Sequence, residues 1–294
     1  MDNPLIKGAS IHYIQIMVKL VSSLACSGAA VRYGDDGGQG VGVVLTHGAG
    51  MDHAMWDVQA DALTSAGYRM IVWDMRGHGQ SVMEPGVRFA VSDAIDDLSA
   101  LLDAVGLAAA VLVGHSLGGN LSQAFVRRHP GRTSGLIVVD STWNAGPLSA
   151  GERLGLRLAA PMLAVIPTAW LPGLMARTSA VSPEAIAQTR SVLSRMPRGT
   201  FVDVMRAGVS LVSPDASYRT PVPLGLIRGD RDRTGNIATA MPRWANTEGV
   251  QEQVIPDAGH VVTLDAPEAT SQALLQTLEQ WNLKDHRVGD RGAQ

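Results

Sequence analysis

Short aliphatic runs alternate with longer stretches of mixed polarity along the first half of the chain. An apolar run closed by glycine or a polar turn is typical of a strand that is buried on both faces. Such runs predict strands at 41–46, 70–73, 111–113 and 136–139. The stretches between them predict helices at 56–66, at 92–105 with Ser92 as N-cap, and at 117–129. This alternation predicts a mostly parallel sheet with helices on both faces.

The pattern changes between residues 146 and 218, where prolines are frequent and strand-like runs are not evident. Residues 158–175 carry no charged side chain, which is unusual outside a membrane span. Pro161, Pro167 and Pro172 interrupt this stretch. Because proline breaks helices, the stretch predicts a set of short apolar helices rather than a membrane span.

Strand-like runs return at 224–227 and 253–255, and a last helix fits 267–281. An interrupted α/β pattern that resumes is typical of a core domain with an inserted cap, whose helices would cover the carboxyl ends of the strands. The predicted organisation is an N-terminal extension with the first strand at 1–27, a core at 28–145 and 219–283, a helical cap (lid) at 146–218, and a frayed tail at 284–294.

Composition narrows the classes of function. The chain has 294 residues, is 46% hydrophobic and 17% charged, and carries a formal net charge of −3. This balance predicts a sizeable core and argues against a nucleic-acid-binding surface. Cys26 is the single cysteine, so no intramolecular disulfide is expected. Gln15 and Lys19 interrupt the apolar stretch at 11–31, which favours an extra N-terminal segment over a secretion signal. We therefore expect a cytoplasmic protein without stable membrane insertion.

One short segment carries the strongest chemical signal. The strand predicted at 111–113 runs into G-H-S-L-G at 114–118, and a helix follows. A G-x-S-x-G sequence between a strand and a helix holds the serine, here Ser116, in a strained turn that exposes its hydroxyl. The flanking glycines suit a turn where strand and helix crowd together. Free N–H groups at the start of the helix would stabilise a developing oxyanion.

A serine nucleophile needs a base, and the base needs an acid that orients it. The strand predicted at 253–255 runs into P-D-A-G-H, which ends at His260, the candidate base. The strand predicted at 224–227 runs into R-G-D-R-D, which supplies Asp230 and Asp232 as candidate acids. Asp140, at the end of the strand predicted at 136–139, is a third candidate.

With serine, acid and histidine in this order, the chain resembles the α/β-hydrolase family. The resemblance spans residues 28–283 and includes H-G-A-G at 47–50, D-M-R-G-H-G-Q-S at 74–81, the serine turn, G-x-x-D at 229–232, and G-H at 259–260 before P-E at 267–268. It implies an α/β-hydrolase fold with an inserted cap, and Asp232 as the acid. Asp140 stays an alternative, because some family members take the acid from that strand.

The resemblance further implies an oxyanion hole formed by the backbone N–H groups of Ala49 and Leu117. Residues beside these loops and in the cap are candidates for a substrate pocket: Gly48, Gly50, Met51, Trp56, His115, Trp143, Met162, Trp170 and Met175. The histidines at positions 47, 53, 78 and 115 lack the spacing of zinc ligands, so neither a metal nor a cofactor is expected.

The reaction that the resemblance implies is hydrolysis of a small hydrophobic carboxylic ester or lactone through an acyl-enzyme. The same fold also hosts C–C bond hydrolases, cofactor-free haloperoxidase-like enzymes and lyases, which the motifs do not separate. A small-molecule receptor that retains the three residues is an alternative of another class. Rapid ester turnover would indicate an enzyme, and slow turnover with tight ligand retention a receptor. The sequence predicts no oligomeric state.

Overall fold

The computed structural model describes residues 18–283, so the expectations for residues 1–17 and for the tail at 284–294 lie outside the described residues. The strands are β1 (Ser22–Cys26), β2 (Ala29–Asp35), β3 (Gly42–Thr46), β4 (Arg69–Trp73), β5 (Val82–Met83), β6 (Ala110–His115), β7 (Thr133–Val139), β8 (Leu224–Gly229) and β9 (Glu252–Ile255). The helices are α1 (Asp57–Ser65), α2 (Val91–Ala104), α3 (Leu117–Arg128), α4 (Ala150–Val165), α5 (Leu171–Ser179), α6 (Pro183–Arg195), α7 (Arg198–Val209), α8 (Ile237–Glu248), α9 (Val262–Asp265) and α10 (Pro267–Gln280).

The strands form one sheet in the order β1-β2-β4-β3-β6-β7-β8-β9, with β5 paired to β2. Strand pairs from β4 to β9 are parallel, whereas β2 pairs antiparallel with β1, β4 and β5. The predicted mostly parallel sheet is therefore confirmed. Every residue of β3 and β6 is buried, as expected for central strands covered on both faces.

Two apolar clusters cover the two faces of the sheet. One face packs against α2, α3 and α8, and includes Leu98, Phe125 and Trp244. The other packs against α1 and α10, and includes Leu63 and Leu274. This sandwich holds the carboxyl ends of β3, β6, β7 and β8 at one edge, where the loops that follow them meet.

Two local predictions were wrong. Ser92 lies inside the first turn of α2, whose N-cap is Ala90 in extended conformation. Ser92 instead directs its hydroxyl to Asp93. Pro161 lies inside α4, and the helix continues past it to Val165. An exposed helix tolerates the loss of one backbone hydrogen bond when its remaining turns are intact.

Four helices, α4 to α7, fill the sequence between β7 and β8, and the described part of this segment contains no strand. Pro167 lies in the connection between α4 and α5, and Pro172 lies in the first turn of α5. Leu171, Leu193 and Phe201 form a small apolar cluster among these helices. No helix in the range 18–283 combines the length and the apolar character that crossing a bilayer requires.

Candidate active site

Ser116 lies in the tight turn between β6 and α3 with a positive φ of 51°. The turn leaves no room for side chains beside it. A Cβ added to Gly114 would lie 2.3 Å from the carbonyl oxygen of Gly118, and one added to Gly118 would lie 2.4 Å from that of Thr46. Small residues at these two positions are therefore required for the strand and helix to approach, and the serine hydroxyl is left at the edge of the sheet.

His260 and Asp232 meet Ser116 at this edge. The Nε2 atom of His260 lies 2.9 Å from Oγ of Ser116, and its Nδ1 lies 3.0 Å from Oδ2 of Asp232. The aspartate is fully buried, and its Oδ1 accepts a hydrogen bond from the backbone N–H of Thr234. Burial alone would raise the pKa of Asp232, but the charge and hydrogen bond of His260 outweigh it and lower the pKa. An ionised Asp232 orients the imidazole, whose Nε2 is then free to accept the serine proton.

The other two candidate acids occupy different positions. Asp230 is exposed in the loop after β8. Asp140 is fully buried with a φ of 42°, and its Oδ1 accepts a hydrogen bond from the backbone N–H of Gly229. Burial, followed by the charge of Asp232, raises the pKa of Asp140 well above its usual value. Burial and the neighbouring charge therefore favour the protonated form of Asp140, while Asp232 makes the hydrogen bond to His260.

Asp140, Asp232 and His260 offer ligand atoms within 4.8 Å of one another, the spacing of a potential metal site. Their donor chemistry fits a metal poorly. The Nδ1 of His260 is engaged with Asp232, and a protonated Asp140 is a weak ligand, because metal ligands must be deprotonated. The expectation that no metal takes part stays a prediction.

Two further histidines, His115 and His47, make hydrogen bonds to the backbone of the loops at this edge. His115 donates from Nε2 to the backbone carbonyl of His260, 2.7 Å away, and burial followed by the neighbouring His260 lowers its pKa to about 3. His47 accepts from the backbone N–H of Met75 at Nε2 and donates from Nδ1 to the carbonyl of Gly48. Both rings are buried and neutral, so they hold loops in place rather than transfer protons.

The backbone N–H groups of Ala49 and Leu117 have no acceptor among the described residues. Both residues line the same cavity as Ser116. The loop that carries Ala49 is tightly packed, because a Cβ on Gly48 would meet the ring of His115 and one on Gly50 would meet Leu193. Two unpaired N–H groups beside a serine hydroxyl are suited to stabilise an oxyanion.

The cavity at Ser116 has a volume of about 510 Å³ and is mostly apolar. Its walls come from the turn at α3, the loop before α8, and helices α4 and α7. Apolar lining is supplied by Ala49, Leu117, Leu156, Ala159, Val204, Met205, Val209, Val212 and Ile237. Polar side chains on its surface are Asn120, Thr142, Glu152, Thr234 and Asn236.

None of the nine pocket candidates from the sequence is among these lining residues. Trp56 is completely buried in the core, and Trp143 stacks on Trp244 with ring centroids 6.0 Å apart. Met162 and Trp170 are 63% and 71% exposed on the outer surface. The remaining five lie in nearby loops or against the small apolar cluster among α4 to α7: Gly48, Gly50, Met51, His115 and Met175. The assignments of Trp56, Trp143, Met162 and Trp170 were wrong, because a position near the site along the chain does not determine the direction of a side chain. The other five stay predictions.

Apart from Ala49, Ser116 and Leu117, sequence reasoning missed the residues that line the cavity. Asn120 had a usable signal, because it lies four residues after Ser116 and hence one helical turn along the same face. Glu152 could also be recognised in the sequence, since Ser149 and Glu152 have the spacing of the capping box that begins α4. No sequence signal marks the apolar residues of α7 as lining residues, because their orientation depends on how the helix packs.

Comparison with known proteins is consistent with this geometry. A family model described as "Alpha/beta hydrolase family" matches residues 43–273. A protein of Caulobacter sp. (strain K31) named "Putative carbamate hydrolase RutD" is 29% identical over 257 residues, which are 80% of this chain and 90% of that protein. A thermophilic esterase from Thermogutta terrifontis superposes with a TM-score of 0.73 at 27% identity, covering 88% of this chain and 99% of its own. The enol-lactonase from Burkholderia xenovorans LB400 superposes with a TM-score of 0.75 at 22% identity, covering 88% of this chain and 100% of its own. At this identity the likeness is one of fold alone.

Proposed function

Because the chain belongs to the alpha/beta hydrolase family, we propose that it is a serine hydrolase that cleaves a small, largely apolar carboxylic ester or lactone through an acyl-enzyme. The observation that carries the proposal is the continuous hydrogen-bonded set of Ser116, His260 and Asp232 at the wall of an apolar cavity. Serine, base and acid within hydrogen-bond reach are the parts that acyl transfer requires.

In the proposed mechanism, His260 takes the proton from Oγ of Ser116 as the oxygen attacks the substrate carbonyl. The resulting oxyanion accepts hydrogen bonds from the N–H groups of Ala49 and Leu117. His260 then donates its proton to the leaving alkoxide, which departs and leaves an ester on Ser116. Water, deprotonated by His260, attacks this ester and releases the acid and free Ser116. Asp232 stays ionised and stabilises the imidazolium at each stage.

The reasoning for an apolar substrate rests on the cavity lining. Nine apolar residues face about 510 Å³, enough for a small acyl or alcohol chain. The similarity to an esterase at 27% identity supports ester chemistry. Helices α4 and α7, which supply much of the lining, belong to the segment that we propose as the cap.

A carbamate is a second candidate substrate, favoured by the similarity that extends over 80% of the chain to the protein named for carbamates. The same attack on a carbonyl carbon would apply, with a carbamoyl group in place of the acyl group. The two candidates differ only in the atom that flanks the carbonyl carbon, so one assay with both types of p-nitrophenyl substrate separates them.

The test is hydrolysis of p-nitrophenyl esters of increasing acyl length, and of a p-nitrophenyl carbamate, by the wild type and Ser116→Ala. We expect ester turnover to fall by a factor of about 10⁴ or more in the variant. Ser194→Ala, which removes an exposed serine hydroxyl on α6 outside the cavity lining, is the matched control and should keep full activity. Equal turnover by wild type and Ser116→Ala would overturn the proposal, and so would absence of turnover with every ester.

A further inference from the structure

Three polar side chains that line the cavity at Ser116 present hydrogen-bond acceptors: Asn120, Thr142 and Glu152. Glu152 is the only residue with a formal charge among the described residues that line it. Hydrogen bonds from Ser149 and then from Asn236 lower the pKa of Glu152 to about 2, so the side chain is a carboxylate at neutral pH. An apolar cavity with one fixed negative charge favours ligands with a complementary group.

The orientation of Asn236 follows from this carboxylate. Nδ2 of Asn236 donates to Oε1 of Glu152 over 2.8 Å, and a carboxylate accepts only. The amide oxygen of Asn236 therefore faces the other way, where it accepts the hydroxyl proton of Thr142. With its proton committed, the Thr142 oxygen has only lone pairs to offer a ligand.

Hydrogen bonds also fix the orientation of the Asn120 amide. Its Nδ2 donates to the backbone carbonyl of Thr142 at 3.1 Å and to Oδ1 of Asn144 at 2.6 Å, which uses both amide hydrogens. Its Oδ1 has no partner among the described residues and belongs to a side chain that lines the cavity. Asn120, Thr142 and Glu152 thus each keep an unused acceptor lone pair.

The carboxylate itself is held rather than mobile. Oε2 of Glu152 accepts the backbone N–H of Ser149 over 2.6 Å, and Ser149 Oγ accepts the backbone N–H of Glu152. Arg243 lowers the pKa of Glu152 through its charge but does not line the cavity. Each carboxylate oxygen has one hydrogen bond in this arrangement and room for another.

Resting on the proposed function, we infer that the cavity contains a subsite for a cationic N–H donor, built from Glu152, Thr142 and Asn120. The substrate class is an ester with an apolar skeleton that carries a protonated amine at the end remote from the scissile carbonyl. Substrates with a carboxylate at that end are selected against, because the lining offers no basic side chain to receive it.

A binding experiment tests the subsite without relying on hydrolysis. Calorimetric titration at pH 7 compares hexylammonium, hexan-1-ol and hexanoate, which share a six-carbon chain and differ in charge. We expect hexylammonium to bind about tenfold or more tightly than hexan-1-ol, because hydrogen bonds to charged groups are the stronger kind, and hexanoate to bind weakest. Equal binding of hexylammonium and hexan-1-ol would overturn the inference.

Glu152→Gln is the decisive variant, because glutamine at this position keeps the capping box of α4 while removing the charge. It should abolish the preference for hexylammonium over hexan-1-ol. Glu184→Gln is the matched control, since Glu184 is an exposed glutamate in the first turn of α6, outside the cavity lining. A preference that persists in Glu152→Gln, or that disappears equally in Glu184→Gln, would assign the cation to another site.

Ester kinetics then separate this inference from the proposed function. Methyl hexanoate, methyl 6-aminohexanoate and monomethyl adipate carry no charge, an ammonium and a carboxylate at the far end of the acyl chain. The hexyl, 6-aminohexyl and 5-carboxypentyl esters of acetic acid carry the same groups on the alcohol side. Acid release is followed by pH-stat.

If Ser116→Ala abolishes hydrolysis of the neutral esters but neither series favours the ammonium, the proposed function stands and the subsite is wrong. If no ester is hydrolysed while hexylammonium still binds through Glu152, the proposed function fails and the subsite stands.

Discussion

Nε2 of His115 donates a hydrogen bond to the backbone carbonyl of His260 over 2.7 Å, joining two residues that are 145 positions apart. Their ring centroids are 4.9 Å apart. His115 immediately precedes the proposed nucleophile, and His260 is the proposed base. The residue before Ser116 therefore fixes the backbone of the loop that carries the base, and sets the distance between the two reacting side chains.

His115→Leu should lower kcat about tenfold with little change in KM, because it leaves the carbonyl of His260 without its buried donor, a loss of about 1–3 kcal/mol. His115→Gln retains an amide donor and should recover most of kcat. Steady-state kinetics with a p-nitrophenyl ester measure both. If leucine and glutamine lower kcat equally, or if only KM and thermal stability respond, His115 has no positioning role.

The central sheet was predictable because its strands are continuous apolar runs, and runs of this kind are buried on both faces. β3 and β6 begin and end within two residues of their predicted limits. The serine turn was equally readable, since Gly114 and Gly118 occur where any side chain would strike backbone atoms. The strands and the clash at Gly114 depend on neighbours in the sequence, whereas the clash at Gly118 is with Thr46 of the adjacent strand, and the motif alone signalled it.

The cavity lining could not be predicted in the same way, because it depends on helix packing. Trp56 and Trp143 follow catalytic loops in the chain, yet both turn into the core, where their large apolar surfaces are buried. Met205 and Val209 line the cavity only because α7 packs over the carboxyl end of the sheet. Nothing in the local sequence distinguishes them from the apolar residues of α5.

Asp140 and Asp232 should respond differently to the same isosteric change. Asp232→Asn removes the charge that orients and stabilises the protonated His260, and should lower kcat by a factor of about 10⁴. Asp140→Asn keeps an acceptor for the N–H of Gly229 and replaces a group that is already neutral, so activity should stay within about threefold of wild type. Parallel kcat measurements decide the acid, and the reverse order of losses would assign that role to Asp140.

Stability should depend on pH through Asp140. Its pKa is raised on folding, so its contribution to stability is fully present below the unfolded value of about 3.9 and is lost as the pH rises toward the folded pKa. Asp140→Asn removes this loss. The variant should therefore gain stability relative to wild type as the pH rises from 4 to 7, measured as the difference in urea midpoint. A difference that is flat over this range, or that shrinks toward pH 7, contradicts a neutral Asp140.

Arg76 and Asp97 form a buried ion pair, and neither residue lines the cavity at Ser116. The guanidinium makes two hydrogen bonds of 2.6 Å to the carboxylate, and both side chains are at most 2% exposed. A third hydrogen bond, of 2.9 Å, joins Arg76 to the half-exposed Asp93. The pair ties the loop after β4 to helix α2, so its contribution should be structural.

Asp97→Asn leaves the buried charge of Arg76 with Asp93 alone, and should lower the free energy of unfolding by about 3 kcal/mol. Asp96→Asn is the matched control on the same helix, because Asp96 is 61% exposed and pairs with the exposed Arg128. Exposed pairs contribute little, so the control should change stability by less than about 1 kcal/mol. Urea denaturation measures both variants, and kcat of folded Asp97→Asn should match wild type. Equal destabilisation by the two substitutions would show that burial of the Arg76–Asp97 pair does not determine its contribution.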